Sequence, residues 1–200
     1  MLRRGTLGAL TADQHASPLG EWLSSPAPMR TDLLVISASN GENLLLAERF
    51  AACARGRALN AEVLDLTEVS LPLFTPRQNA AGGIPAAIGA LGERLAAAPR
   101  WVICAPEYNG SIPPVLTNAI AWLSVQGDDF RSLFNGRPIV IASHSGSGGY
   151  SVLVALRLQL SYLGAHVVGR QLVSNHSKPA RDEGIEDLID RLRQLEPIQL

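Results

Sequence analysis

Short runs of consecutive apolar residues alternate along this chain with longer stretches in which apolar positions return every three or four residues. The strand candidates are 33–36 (LLVI), 61–66 (AEVLDL), 101–105 (WVICA), 138–142 (PIVIA) and 166–168 (HVV). The continuous apolar runs at 33–36 and 101–105 predict strands buried on both faces. Between them lie helical periodicities. Leu46, Phe50, Cys53 and Ala54 share one face, with Asn43 as the expected cap and Gly56 as the stop. A second helix is predicted from about Pro85 to Ala98, after a loop bearing Pro72, Pro76, Gly82 and Gly83. Pro114 opens a third, with Val115, Leu116, Ala119, Ile120 and Leu123 inward. Leu153, Leu156, Leu160 and Leu163 stripe a fourth up to Gly164, and Ile185, Leu188, Ile189, Leu192 and Leu195 a fifth.

Strands alternating with helices predict the α/β class, a parallel sheet with helices on both faces. Residues 31–200 are expected to form one domain, without repeats. Residues 1–30 follow neither period. Arg3 and Arg4 precede a weakly apolar stretch at 7–10 that Asp13, Gln14 and His15 cut short, too briefly for a signal peptide. The segment reads as a disordered leader, with Met29 a candidate start.

Composition narrows the function classes. A net charge of -1 gives no electrostatic case for nucleic acid or an anionic membrane. No apolar run approaches the roughly 20 residues of a membrane-spanning helix. Cys53 and Cys104 form no CxxC pair, and His15, His144, His166 and His176 are too separated to predict a metal site. A reducing compartment, the cytoplasm, is the expectation.

In sheets of this kind ligands bind beyond the carboxyl ends of the strands. The loops 37–43, 106–113 and 143–149 therefore carry the candidate chemistry. The first, Ser37-Ala38-Ser39-Asn40-Gly41-Glu42-Asn43, offers small polar side chains and a helix N-terminus. That suits a phosphate or an ordinary polar turn equally well, and Glu42 opposes an anion. Neither GxxxxGK[ST] nor GxGxxG is present. The third, Ser143-His144-Ser145-Gly146-Ser147-Gly148-Gly149-Tyr150, lets backbone approach a flat ligand closely. It lacks the G-x-S-x-G elbow of a serine hydrolase, and His144 reads either as a base or as a solvated loop side chain.

The second loop is the most specific. It contains Pro106, Glu107, Tyr108, Asn109, Ser111, Pro113, Leu116, Asn118, Ala119 and Trp122 in the spacing PEYNxSxPxxLxNAxxW. This resembles the signature of the NADPH-dependent FMN reductase family, roughly PEYNxSxPxxLKNAxDW. Thr117 stands where lysine is usual and Ala121 where aspartate is usual. The resemblance extends over about residues 31–173. It is weakest in the first loop, one residue shorter than the family's GSxRxxSxN and without its arginine.

The resemblance implies a flavodoxin-like sheet in the order 2-1-3-4-5, bound flavin mononucleotide (FMN), and NADPH or NADH as reductant. It implies that Ser37, Ser39, Asn40 and Asn43 hold the phosphate. Pro106, Glu107, Tyr108 and Asn109 would hold the ring and ribityl chain, with Ser143, Gly148 and Gly149 beside them. The electron acceptor would be a flavin, a quinone or a similar small molecule, the assembly a homodimer or homotetramer, and no protein acid or base need be catalytic. A flavodoxin-like electron carrier, or a flavin-fold binding module without cofactor, are the alternatives.

Overall fold

A computed structural model describes residues 30–127 and 129–198; the expected leader and Met29 lie outside the described residues. Four strands form the centre of one parallel sheet: β1 (Leu33–Ser37), β2 (Ala61–Asp65), β3 (Trp101–Cys104) and β4 (Pro138–His144). Their order is β2-β1-β3-β4. Period-2 geometry divides each apolar run between the two faces. Leu34 and Ile36, Trp101 and Ile103, and Ile139 and Ile141 enter one core layer. Leu33 and Val35, Val102 and Cys104, and Val140 and Ala142 enter the other. Burial pushes the Cys104 thiol well above its ordinary range, so it stays protonated.

Helix α1 (Glu42–Arg55) covers the second layer together with α6 (Asp182–Arg193). The first layer is covered by α3 (Ala86–Ala97), α4 (Pro114–Leu123) and α5 (Tyr150–Tyr162). The flavodoxin-like order 2-1-3-4-5 with helices on both sides is therefore observed.

Four details differ from the sequence expectation. Helix α2 (Pro76–Gly82) occupies the expected loop, opened by the Thr75 hydroxyl accepting from the Gln78 N–H. It buries no residue, so it leaves no apolar period to read. The fifth strand is broken into β5 (His166–Val167) and β6 (Leu172–Ser174). Both pair with β4, Ile139 opposite Val167 and Ala142 opposite Leu172, so the edge strand carries two extra residues between them. Finally, Gly41 rather than Asn43 occupies the cap of α1, and Leu195 lies beyond α6, partly exposed.

Candidate functional site

The three loops singled out by sequence emerge from the carboxyl ends of β1, β3 and β4. In the first, the Ser37 hydroxyl donates to the Ser39 carbonyl at 2.6 Å, folding the turn back on itself. Both serines are buried, whereas Asn40, Gly41 and Glu42 are exposed. No side chain caps α1. A helix begins with backbone N–H groups that lack intrahelical partners, so this end presents donors and a positive dipole end to the surface.

The second loop is a tight hairpin. Tyr108 and Ser111 exchange backbone hydrogen bonds of 3.2 and 3.0 Å around Asn109 and Gly110. The two central residues have φ of +51° and +74°. Positive φ at both positions defines a type I′ turn, for which Asn-Gly is the preferred pair. The turn holds Tyr108 half exposed at the surface. Farther along, the Asn118 side chain accepts from the Phe74 N–H and donates to the Pro72 carbonyl. Trp122 also donates to Pro72, at 2.7 Å, and meets Phe74 edge to face. These two motif residues thus pin the segment before α2 against α4.

The third loop joins the other two. The Asn43 amide donates to the His144 carbonyl and accepts from the His144 N–H, both at 2.9 Å. Glu107 reaches from the hairpin to the start of α5. One carboxylate oxygen accepts from the Ser147 hydroxyl at 2.8 Å, the other from the Ser151 and Val152 N–H groups at 2.9 and 3.2 Å. The Ser147 hydroxyl, with the two amides, holds the Glu107 carboxyl below its ordinary range. Glu107 therefore caps a helix that its own N-cap residue, Gly149, cannot cap.

Gly149 itself is required by geometry. Its φ is +70°, and a Cβ there would stand 2.5 Å from the Ser143 hydroxyl. That hydroxyl is fully buried and has no hydrogen-bond partner among the described residues. The Ser174 hydroxyl lies 3.2 Å from His144 Nδ1 and donates to the Ser143 carbonyl. Nε2 of His144 stands 4.0 Å from the Glu42 carboxylate.

Every site residue predicted from sequence lies on these three loops and the strand ends feeding them. Three have side chains already committed to protein: Ser37 to the Ser39 carbonyl, Asn43 to His144 and Glu107 to α5. Ser147, Ser151 and Ser174 complete the network and were not among the predicted residues. Their partners are 40, 44 and 31 positions away, at spacings no local pattern carries.

Known proteins resemble this chain in sequence and in fold. The family model for NADPH-dependent FMN reductase matches residues 31–179. A quinone reductase of Escherichia coli is 33% identical over 123 residues, covering 58% of this chain and 64% of its own length. The chain thus spans less than two thirds of that relative. An NAD(P)H-dependent FMN reductase of Pseudomonas aeruginosa is 30% identical over 141 residues, covering 68% of this chain and 74% of its own. Among solved structures, the flavoenzyme NAD(P)H:(acceptor) oxidoreductase FerB of Paracoccus denitrificans superimposes with a TM-score of 0.65 at 19% identity, covering 83% of this chain and 99% of FerB. An archaeal flavodoxin gives 0.57 at 11%, covering 81% and 99%, a likeness of fold alone. With the family model spanning most of the domain and the PEYN hairpin in place, the chain belongs to the NADPH-dependent FMN reductase family.

Proposed function

We propose that this protein is an NAD(P)H-dependent FMN and quinone reductase, residues 31–200 forming its FMN-binding domain. The observation that carries the reading is the joining of three loops by hydrogen bonds into one rim beside the uncapped N-terminus of α1. FMN has three parts to place, a phosphate, a ribityl chain and a flat ring, and the rim offers something to each. The open end of α1, with Ser37, Ser39 and Asn40, suits the phosphate. The Tyr108 hairpin suits the ring, with the Asn109 N–H as a donor to its heteroatoms and Pro106, which has no N–H, offering only its carbonyl as an acceptor. Exposed Gly146 and half-buried Gly148 leave backbone open to a flat group, while Ser143 and Gly149 pack against each other beneath them and shape the loop.

When bound, FMN would supply the redox chemistry between NADPH or NADH and a quinone, flavin or similar small acceptor. The chain's own part is positioning. Glu107 and Asn43 hold the three loops in register, and small residues at Gly146 and Gly110 leave room for a second flat ligand. A Cβ at either glycine would meet nothing within 4 Å. No side chain is assigned acid or base work. The reading includes a homodimer or homotetramer. Among the described residues no helix is long and apolar enough to cross a membrane; a cytoplasmic location is part of the proposal. The test is steady-state oxidation of NADPH and of NADH by the FMN-loaded protein with a quinone present. Turnover that depends on both FMN and quinone supports the reading, and its absence with either nucleotide overturns it.

A further inference from the structure

His144 ends β4 with an imidazole that the fold serves on one side only. Its neighbour in register is Ser174, the last residue of β6. The Ser174 hydroxyl has one hydrogen and donates it to the Ser143 carbonyl, so toward His144 Nδ1, at 3.2 Å, it accepts. That assigns the proton of the neutral ring to Nδ1 and leaves Nε2 with a lone pair. Nε2 is fully buried and has no hydrogen-bond partner among the described residues. What faces it is the Glu42 carboxylate, 4.0 Å away. An acceptor thus looks at an acceptor, an arrangement that one proton on Nε2 turns into an ion pair.

The surroundings give that pair weight. The His144 side chain is 14% exposed, and the ring of His176, from the segment after β6, meets it edge to face at 5.0 Å. Glu42 and His176 are the titratable groups that meet it among the described residues. Glu42 stands in the first turn of α1, where its charge suits the helix dipole but opposes a second anion. The first loop does not offset it, since residues 37–43 contain no cation. Arg49, the first cation of α1, is engaged by Asp182 and the Ala180 carbonyl. His144 is therefore the group beside Glu42 that can take up positive charge.

We infer that His144 and Glu42 form a charge-compensating pair that decides how strongly the α1 end prefers a phosphorylated flavin. The inference rests on the proposed function for its ligand, FMN, and adds His144 as the residue setting the preference over riboflavin. With the ring neutral, the Glu42 carboxylate repels a phosphate carrying about -1.5 to -2 charges. With the ring protonated the pair is neutral, and the N–H groups at the helix start act on the phosphate unopposed. His144 works through Glu42 and is not itself asked to touch the ligand. Its backbone is tied to Asn43 independently of the ring, so the side chain can be changed without parting the loops.

The ratio of FMN to riboflavin affinity, read by fluorescence quenching in native, His144→Asn and His144→Asn/Glu42→Gln proteins, tests the pair. Asparagine keeps a polar group near the Nδ1 position for Ser174 and carries no charge. At about pH 6.5, His144→Asn is expected to lower the preference for FMN roughly tenfold, the effect of one uncompensated charge near a surface. Adding Glu42→Gln is expected to restore it, which a packing role for His144 would not allow. Between about pH 6.5 and about pH 8.5 histidines lose their charge while the phosphate keeps its own. Over that range the native preference is expected to fall and that of the double variant is not. An unchanged preference in His144→Asn, or no recovery in the double variant, overturns the inference and leaves the reductase reading standing. If His144→Asn does not fold, the native profile decides, and a preference that stays level or rises with pH overturns the pair. A native chain that binds neither flavin counts against the proposed function instead. The pair is then decided by the amide NMR shifts of residues 41–43 with inorganic phosphate. Tighter binding by the native chain than by His144→Asn supports it, and equal or absent binding overturns it.

Discussion

Asn43 and His144, 101 positions apart, exchange two hydrogen bonds of 2.9 Å between a side-chain amide and a backbone peptide. The amide mimics a strand neighbour for the last residue of β4 while standing in the first turn of α1. One residue thereby sets the distance between the candidate phosphate loop and the glycine loop.

Replacing Asn43 by Ala strands a backbone donor and acceptor in a partly buried position. Unmade hydrogen bonds of this kind cost about 1–3 kcal/mol. Chemical denaturation of Asn43→Ala should show that loss, and FMN affinity should fall with it because the two loops drift apart. Asn43→Asp keeps the acceptor and loses the donor, and should be no better for FMN, since it adds negative charge beside Glu42.

Glu107 predicts an acid-sensitive site. Its carboxyl titrates below the ordinary value in the folded protein because Ser147 and the α5 amides bind the ionised form. That stabilisation is full above the unfolded-state pKa and is lost as pH falls through the folded one. Denaturation midpoints of native and Glu107→Gln proteins should therefore differ at neutral pH and draw together as pH falls below the ordinary carboxyl value of about 4.3 and through the lower folded-state one. A gap that persists in acid would mean that Glu107 acts through packing alone.

At Gly149 a methyl group meets both a steric and a conformational barrier. The added Cβ would stand 2.5 Å from the Ser143 hydroxyl, and the φ of +70° disfavours any other residue by roughly 1–2 kcal/mol. Gly149→Ala should be destabilised by more than that strain alone. Adding Ser143→Gly should restore the steric part and leave the backbone part, which a double-mutant cycle in denaturant reads directly.

The phosphate end is probed at Asn40, exposed on the first loop. Asn40→Asp places like charge beside an FMN phosphate and should weaken FMN far more than riboflavin, which lacks the phosphate. Equal losses for the two ligands, followed by fluorescence quenching, would put the phosphate elsewhere.

Much of this architecture is legible in the sequence. Val102 and Ile103 read as a strand because apolar residues fill both faces, and Leu116, Ala119 and Ile120 read as a helix because only one face is apolar. The PEYN hairpin is legible for a local reason: Asn109-Gly110 is turn chemistry written in adjacent letters. What escapes are relationships without a period. Helix α2 buries nothing, and β6 follows β5 only after residues 168–171, which carry two residues more than β4 spans there and break the apolar run with Gly169, Arg170 and Gln171. Glu107 and Asn43 are placed at the site by position, but their roles depend on backbone groups of Val152 and His144, and no side-chain pattern announces a backbone partner.

Reductase chemistry requires an open flavin face that a nicotinamide can reach, within roughly 3–3.5 Å between reacting atoms. Anaerobic mixing of the FMN-loaded protein with NADPH or NADH, followed at the flavin absorbance band, measures this directly. Rapid bleaching is predicted, slowed by Gly146→Trp with FMN affinity retained, and recovery of the absorbance when a quinone is added. If neither nucleotide bleaches a flavin that dithionite reduces readily, the reductase reading is contradicted and the protein is an electron carrier on the same fold.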